Sequence, residues 1–80
     1  MSIKITNYDE YERACELNGF TPHSEEDIKS EVPYASGILR EMPVGENVSV
    51  HIWNEGIKEY YEFKKVEEDV YEICFDMFME

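Results

Sequence analysis

His23, His51, Cys15 and Cys74 are the side chains of this 80-residue chain best suited to hold a metal ion. A zinc site needs such ligands at about 2.0–2.3 Å. Here they are scattered singly, with no Cys-x-x-Cys pair, so no metal site is expected. Carboxylates abound, with 19 Asp and Glu against 7 Lys and Arg. At that density close acid pairs are inevitable, and a pair alone does not announce acid–base catalysis. The acidic run Glu67-Glu68-Asp69 lacks the alternating ligands and central glycine of an EF-hand loop, and it reads as a solvated turn. No Ser-His-Asp arrangement is suggested by local motifs. Gly19, Gly37, Gly45 and Gly56 are isolated, so no glycine-rich loop is present to cradle a phosphate. So short a chain has little room for a cleft. The expectation is a single domain over residues 1–80, not an enzyme, with no cofactor.

Charge is the strongest signal. The net charge is −12, and residues 66–80 hold six carboxylates with no Lys or Arg. The seven cations do not cluster, apart from Lys64-Lys65, so direct nucleic-acid binding is not expected. The field instead steers the chain toward basic partners. A hydrophobic content of 42% with 14% aromatics is too apolar for a disordered acidic tail. No apolar run is long enough to span a membrane, and the N-terminus does not read as a secretion signal, which points to the cytoplasm. Two cysteines fit free thiols in a reducing compartment, or one disulfide.

These residues must be positioned by a small set of elements. Ser2–Thr6 alternates as a short strand. Asn7–Phe20 reads as a helix, with Asn7 and Glu10 as a capping box. Tyr8, Tyr11, Ala14 and Cys15 share its apolar face, Leu17 lies at the edge, and Gly19 is the stop. A second helical region starts at Ser24 with Glu25, Glu26 and Asp27 in its first turn. Pro33 is expected to break or kink it. Its second piece would turn Tyr34, Ile38, Leu39 and Met42 to the core. From Glu46 the period becomes two, giving three strands with turns at Asn54-Glu55-Gly56 and Glu67-Glu68-Asp69. The fold class is α+β. A short N-terminal strand and two helical segments pack on one face of a C-terminal three-stranded antiparallel meander, in the order βααβββ.

Register follows from matching apolar faces, because a one-residue slip flips every side chain. A two-residue Glu55-Gly56 loop sets Val50 opposite Tyr61 and Val48 opposite Phe63. A three-residue Glu67–Asp69 loop sets Phe63 opposite Ile73, Tyr61 opposite Phe75, and Lys64 opposite Glu72 as an ion pair. Tyr71, Ile73, Phe75 and Met77 then face the core. Ser49, His51, Trp53, Lys58, Tyr60, Glu62, Lys64, Glu72, Cys74 and Asp76 face outward.

At class level, the length, the charge, the Tyr-rich acidic composition and the lack of catalytic motifs resemble small acidic phage-encoded inhibitors, such as anti-CRISPR proteins and DNA mimics. The resemblance implies a protein that occupies the basic nucleic-acid-binding surface of a host protein, in the host cytoplasm. The surfaces expected to do so are Glu67, Glu68, Asp69, Glu72 and Asp76, together with Glu25, Glu26 and Asp27. Trp53 and Tyr60 would be apolar anchors, with Glu62 beside them. Two alternatives stand next to it. One is an adaptor or immunity-type protein that binds a basic partner away from nucleic acid. The other is a homodimer subunit that pairs its sheet.

Overall fold

The chain runs as β1 (Ser2–Ile5), α1 (Tyr8–Asn18), α2 (Glu25–Ser36), β2 (Asn47–Asn54), β3 (Ile57–Glu67) and β4 (Val70–Met79). The computed structural model describes residues 2–36 and 42–79. The strands form one sheet in the order β1-β4-β3-β2. Glu55 and Gly56, with φ of 51° and 86°, close the β2–β3 hairpin. Positive φ at both central residues gives a turn whose twist matches that of the flanking strands. Val50 therefore pairs with Tyr61 and Val48 with Phe63, as the apolar pattern requires.

The second hairpin keeps the expected pairing of Phe63 with Ile73 and Tyr61 with Phe75 but reaches it differently. Glu67 pairs with Val70, so the turn is two residues long, with Asp69 at φ 59°. Val66 is the extra residue that restores the register. A second irregularity lies between Tyr60 and Tyr61, where β4 inserts Asp76. That bulge inverts the end of β4. Met77 does not join the core and is 46% exposed, while Phe78 turns inward against Phe20 and Phe75. Lys64 lies opposite Glu72, but among the described residues the ion pair at this end is made by its neighbour Lys65, which reaches Glu68 at 3.1 Å.

The first strand pairs in parallel with β4, from Ser2 opposite Val70 to Ile5 opposite Ile73. Asn7 continues this ladder with its side chain. Its amide accepts from the Phe75 N–H at 2.8 Å and donates to the Phe75 carbonyl at 2.9 Å. Asn7 consequently makes no side-chain cap on α1; it also donates to Glu10 at 3.0 Å. At the other end Gly19, at φ 74°, closes the helix as expected. The Phe20 and Gly19 amides bond back to the carbonyls of Cys15 and Glu16.

Ser24 caps α2 through the Asp27 amide at 3.2 Å. The helix does not break at Pro33 but runs on to Ser36. Pro33 lies so near the described end that its missing N–H costs one late bond of the ladder, and its ring is buried. Tyr34 points away from the core and is 89% exposed. Gly37, Ile38 and Leu39 lie outside the described residues. Met42 is buried, as expected.

Both helices lie on one face of the sheet. Tyr11 and Cys15 of α1 and Ile28 and Val32 of α2 form one cluster with Val50, Ile52, Tyr61, Phe63, Tyr71, Ile73 and Phe75. Cys15 and Cys74 are both free thiols, the first buried and the second exposed. The bulge predicts an asymmetry between neighbours. Phe78→Ala should cost about 2–4 kcal/mol of stability in urea denaturation, and Met77→Ala less than about 0.5. The reverse order would place β4 in the unbulged register.

Candidate functional site

Strand parity sends every second side chain to the face away from the helices. In register order the rows are Lys4, Glu72, Lys64 and Asn47; then Cys74, Glu62 and Ser49; then Met77, Tyr60 and His51; then Met79, Lys58 and Trp53. No described element covers this face. Trp53 is 57% exposed, with the Lys58 ammonium 5.5 Å from its ring centroid. His51 contacts both Trp53 and Tyr60, with ring centroids 6.0 and 5.5 Å apart. Lys4, Lys58 and Lys64 share this face with Glu62, Glu72 and the bulged Asp76. The outer face is thus close to neutral and aromatic at one end.

The negative charge sits mainly elsewhere. The solvent side of α1 carries Asp9, Glu10, Glu12 and Glu16 against Arg13, and that of α2 carries Glu25, Glu26, Asp27 and Glu31 against Lys29. Those eight carboxylates are all exposed. The two rows meet around Tyr8, whose hydroxyl donates to the His23 carbonyl at 2.7 Å. Burial, and then Glu12 and Glu25, push this phenol above its ordinary range. Asp9 and Glu25 line a shallow depression of about 230 Å³ beside Asn7 and Tyr8, smaller than ordinary ligand pockets.

The sequence-predicted residues therefore divide into groups. Glu25, Glu26 and Asp27 belong to the helical acidic layer. Trp53, Tyr60, Glu62 and Glu72 share the outer sheet face. Glu67, Glu68 and Asp69 form the exposed turn at one end of the eleven-residue β3, and Trp53 lies at the other end, roughly 30 Å away at about 3.3 Å per residue. The acidic turn and the aromatic anchor are not neighbours.

Between the two faces lies a carboxylate that composition alone does not reveal. Glu59 is on the core side of β3 and is 0% exposed. Its Oε2 accepts from the Tyr11 hydroxyl at 2.7 Å and the Asn54 amide at 2.8 Å, and its Oε1 accepts from the Tyr61 hydroxyl at 3.0 Å. His23 Nε2 stands 3.7 Å from Oε1 and 3.2 Å from the Trp53 carbonyl. The network extends further. Tyr11 also accepts from the His23 N–H at 2.9 Å, and Asn54 also donates to the Thr21 carbonyl at 2.8 Å. Parity with Ile57, Tyr61 and Phe63 is the signal that marks Glu59 as inward. Among the described residues no group of three or more His, Cys, Asp or Glu side chains could hold a metal ion. Fully enclosed, Glu59 ties α1, the loop before α2 and the β2–β3 hairpin together.

Two predictions follow from its geometry. Glu59→Ala leaves three buried donors without an acceptor, at about 1–3 kcal/mol each, so urea denaturation should show a loss of at least about 3 kcal/mol. Tyr11 and Tyr61 are both raised well above the ordinary phenol value of 10.0, first by burial and then by Glu59. Below pH 10 the unfolded and folded chains hold these protons equally. Above it the unfolded chain loses them first, so stability should fall by about 1.4 kcal/mol per pH unit for each tyrosine. Tyr61→Phe should remove half of that alkaline slope; an unchanged slope would mean the phenol ionises freely in the folded chain. No protein-family model matches this chain, and no curated protein or solved structure matches it, so its function is read from its own two faces.

Proposed function

We propose that this chain is a non-enzymatic, protein-binding inhibitor whose acidic helical layer occupies a basic, nucleic-acid-binding surface of another protein. The observation that carries the reading is the segregation of charge. Eight exposed carboxylates line α1 and α2 with only Arg13 and Lys29 among them, while the opposite face is balanced. Carboxylates along a helix recur one turn apart, about 5.4 Å, and a row of them complements a groove that normally receives phosphates. Glu25, Glu26 and Asp27 are its centre. Glu67, Glu68 and Asp69 extend the negative field at one end of the sheet, and Glu72 and Asp76 contribute least because they lie on the opposite face, with Lys4 and Lys64 flanking Glu72. No helix of the described residues is long and apolar enough to cross a membrane, which agrees with a partner met in solution.

The runner-up is an adaptor that binds a basic protein away from nucleic acid. It is favoured by the exposed Trp53 and by His51, whose ring contacts both Trp53 and Tyr60, since aromatic side chains of this kind anchor interfaces.

The test is capture of a target from nuclease-treated lysate, followed by challenge with duplex DNA. Displacement by DNA is expected, together with an affinity that falls with salt mainly through the association rate. Reversing Glu12, Glu16, Glu26 and Asp27 to Lys should weaken binding at least about tenfold with the fold intact. Reversing Glu67, Glu68 and Asp69 should weaken it less. Binding that neither DNA nor the helical reversal disturbs, and that Trp53→Ala abolishes, would replace the mimic with the adaptor.

A further inference from the structure

The sheet has two edges, and they are built differently. The β1 edge is four residues long and carries Lys4, a short charged edge of the kind that resists strand addition. The β2 edge is eight residues, NVSVHIWN, with no charged side chain, no proline and no register shift against β3. In a chain that is 32% charged, this is, among the described residues, the one strand without a Lys, Arg, Asp or Glu.

The hairpin decides which of its backbone groups face outward. Asn54 and Ile57 close the two-residue turn as a hydrogen-bonded pair, so by alternation Asn54, Ile52, Val50 and Val48 bond to β3. Asn47, Ser49, His51 and Trp53 point their N–H and C=O groups outward. The Trp53 carbonyl is met by His23 at 3.2 Å. Asn47, Ser49 and His51 are exposed, and among the described residues the backbones of Ser49 and His51 take no hydrogen bond from outside the β2–β3 ladder.

We propose that β2 pairs antiparallel with β2 of a second copy, joining two sheets into one of eight strands. The occupant is a second copy because the edge complements itself. A twofold axis at His51 sets Ser49 against Trp53 of the other copy, small against large, and an axis at Val50 sets Asn47 against Trp53. Neither register places like charges opposite each other, although each copy carries −12. The contact is one strand plus the Trp53 rows, at the low end of specific interfaces, so the dimer is concentration-dependent. It is held by backbone bonds and apolar contact against mutual repulsion, and it should tighten with salt, opposite to the target binding proposed above.

Sedimentation equilibrium of the full chain from about 1 µM to about 1 mM tests this. The mass should rise from 9.5 kDa toward twice that value, more readily at high salt. His51→Lys and Ser49→Lys place cations opposite the partner edge and should raise the dissociation constant at least about tenfold with unchanged circular dichroism. In the wild type the Ser49 and His51 amides should gain protection from hydrogen exchange as concentration rises. A wild type that stays at 9.5 kDa throughout would overturn the proposal. So would a dimer unaffected by either variant or without Ser49 and His51 protection, since it would use another surface. Target capture by His51→Lys is a separate readout, so loss of the dimer and loss of the inhibitor reading are distinguishable.

Discussion

A buried carboxylate organises the rest of this small fold. Removing a carboxylate from water costs several kcal/mol even after relaxation, and Glu59 is fully enclosed. Only the convergence of Tyr11, Tyr61 and Asn54 on its two oxygens makes that burial tolerable. Each donor comes from a different place, namely the middle of α1, the middle of β3 and the end of β2. The donors are themselves held, Tyr11 by the His23 amide and Asn54 by the Thr21 carbonyl. A shift of α1 along the sheet, or a slip of β2 against β3, would leave a charge and several donors stranded in an aromatic core. The network therefore specifies one arrangement of helix, loop and hairpin where apolar contacts alone tolerate several.

That arrangement determines where the net charge goes. With α1 and α2 both held on the Glu59 side of the sheet, their acidic stripes face the same solvent. The lysines at positions 4, 58 and 64 fall by strand parity on the other side. A chain that reads as uniformly acidic becomes a two-faced molecule. The cost is self-repulsion within the helical layer, and Tyr8 registers it, its phenol raised by burial and by Glu12 and Glu25 across the junction of the helices.

Much of this was legible in the residues, and the departures arise where local chemistry does not decide. Helix limits at Gly19 and Ser24, the Glu55-Gly56 turn and the pairing of Phe63 with Ile73 all follow from local chemistry or face matching. Three positions show where the local rule is overridden. Asn7 has the type and position of a cap, yet its amide is taken by the Phe75 backbone, a partner 68 residues away. Met77 has the core parity of β4 until Asp76 is inserted. Pro33 reads as a break or kink, yet α2 is unbroken to Ser36 with the proline ring buried. Glu59 was visible by parity, but a charged residue invites assignment to the surface, and its three donors are scattered over 51 positions from Tyr11 to Tyr61. Counting acids along the chain singles out the C-terminal strand, whereas only the fold shows that the eight exposed carboxylates of α1 and α2 share one face.

The same placement explains why the uncharged strand lies where it does. An edge that pairs with another copy must approach it to about 4.8 Å, the spacing between strands. At that distance each side chain on the edge lies against the other copy, so a carboxylate there would add like-charge repulsion between two chains that each carry −12. The chain carries 19 carboxylates, and none is in β2. Charge is tolerated at the helical layer, where solvent and salt screen it within about 8–10 Å. It is absent from the strand where no such screening intervenes. Charge on the helices and its absence from β2 are thus two sides of one constraint: repulsion is placed where water lies between the charges and kept from the edge where backbones meet.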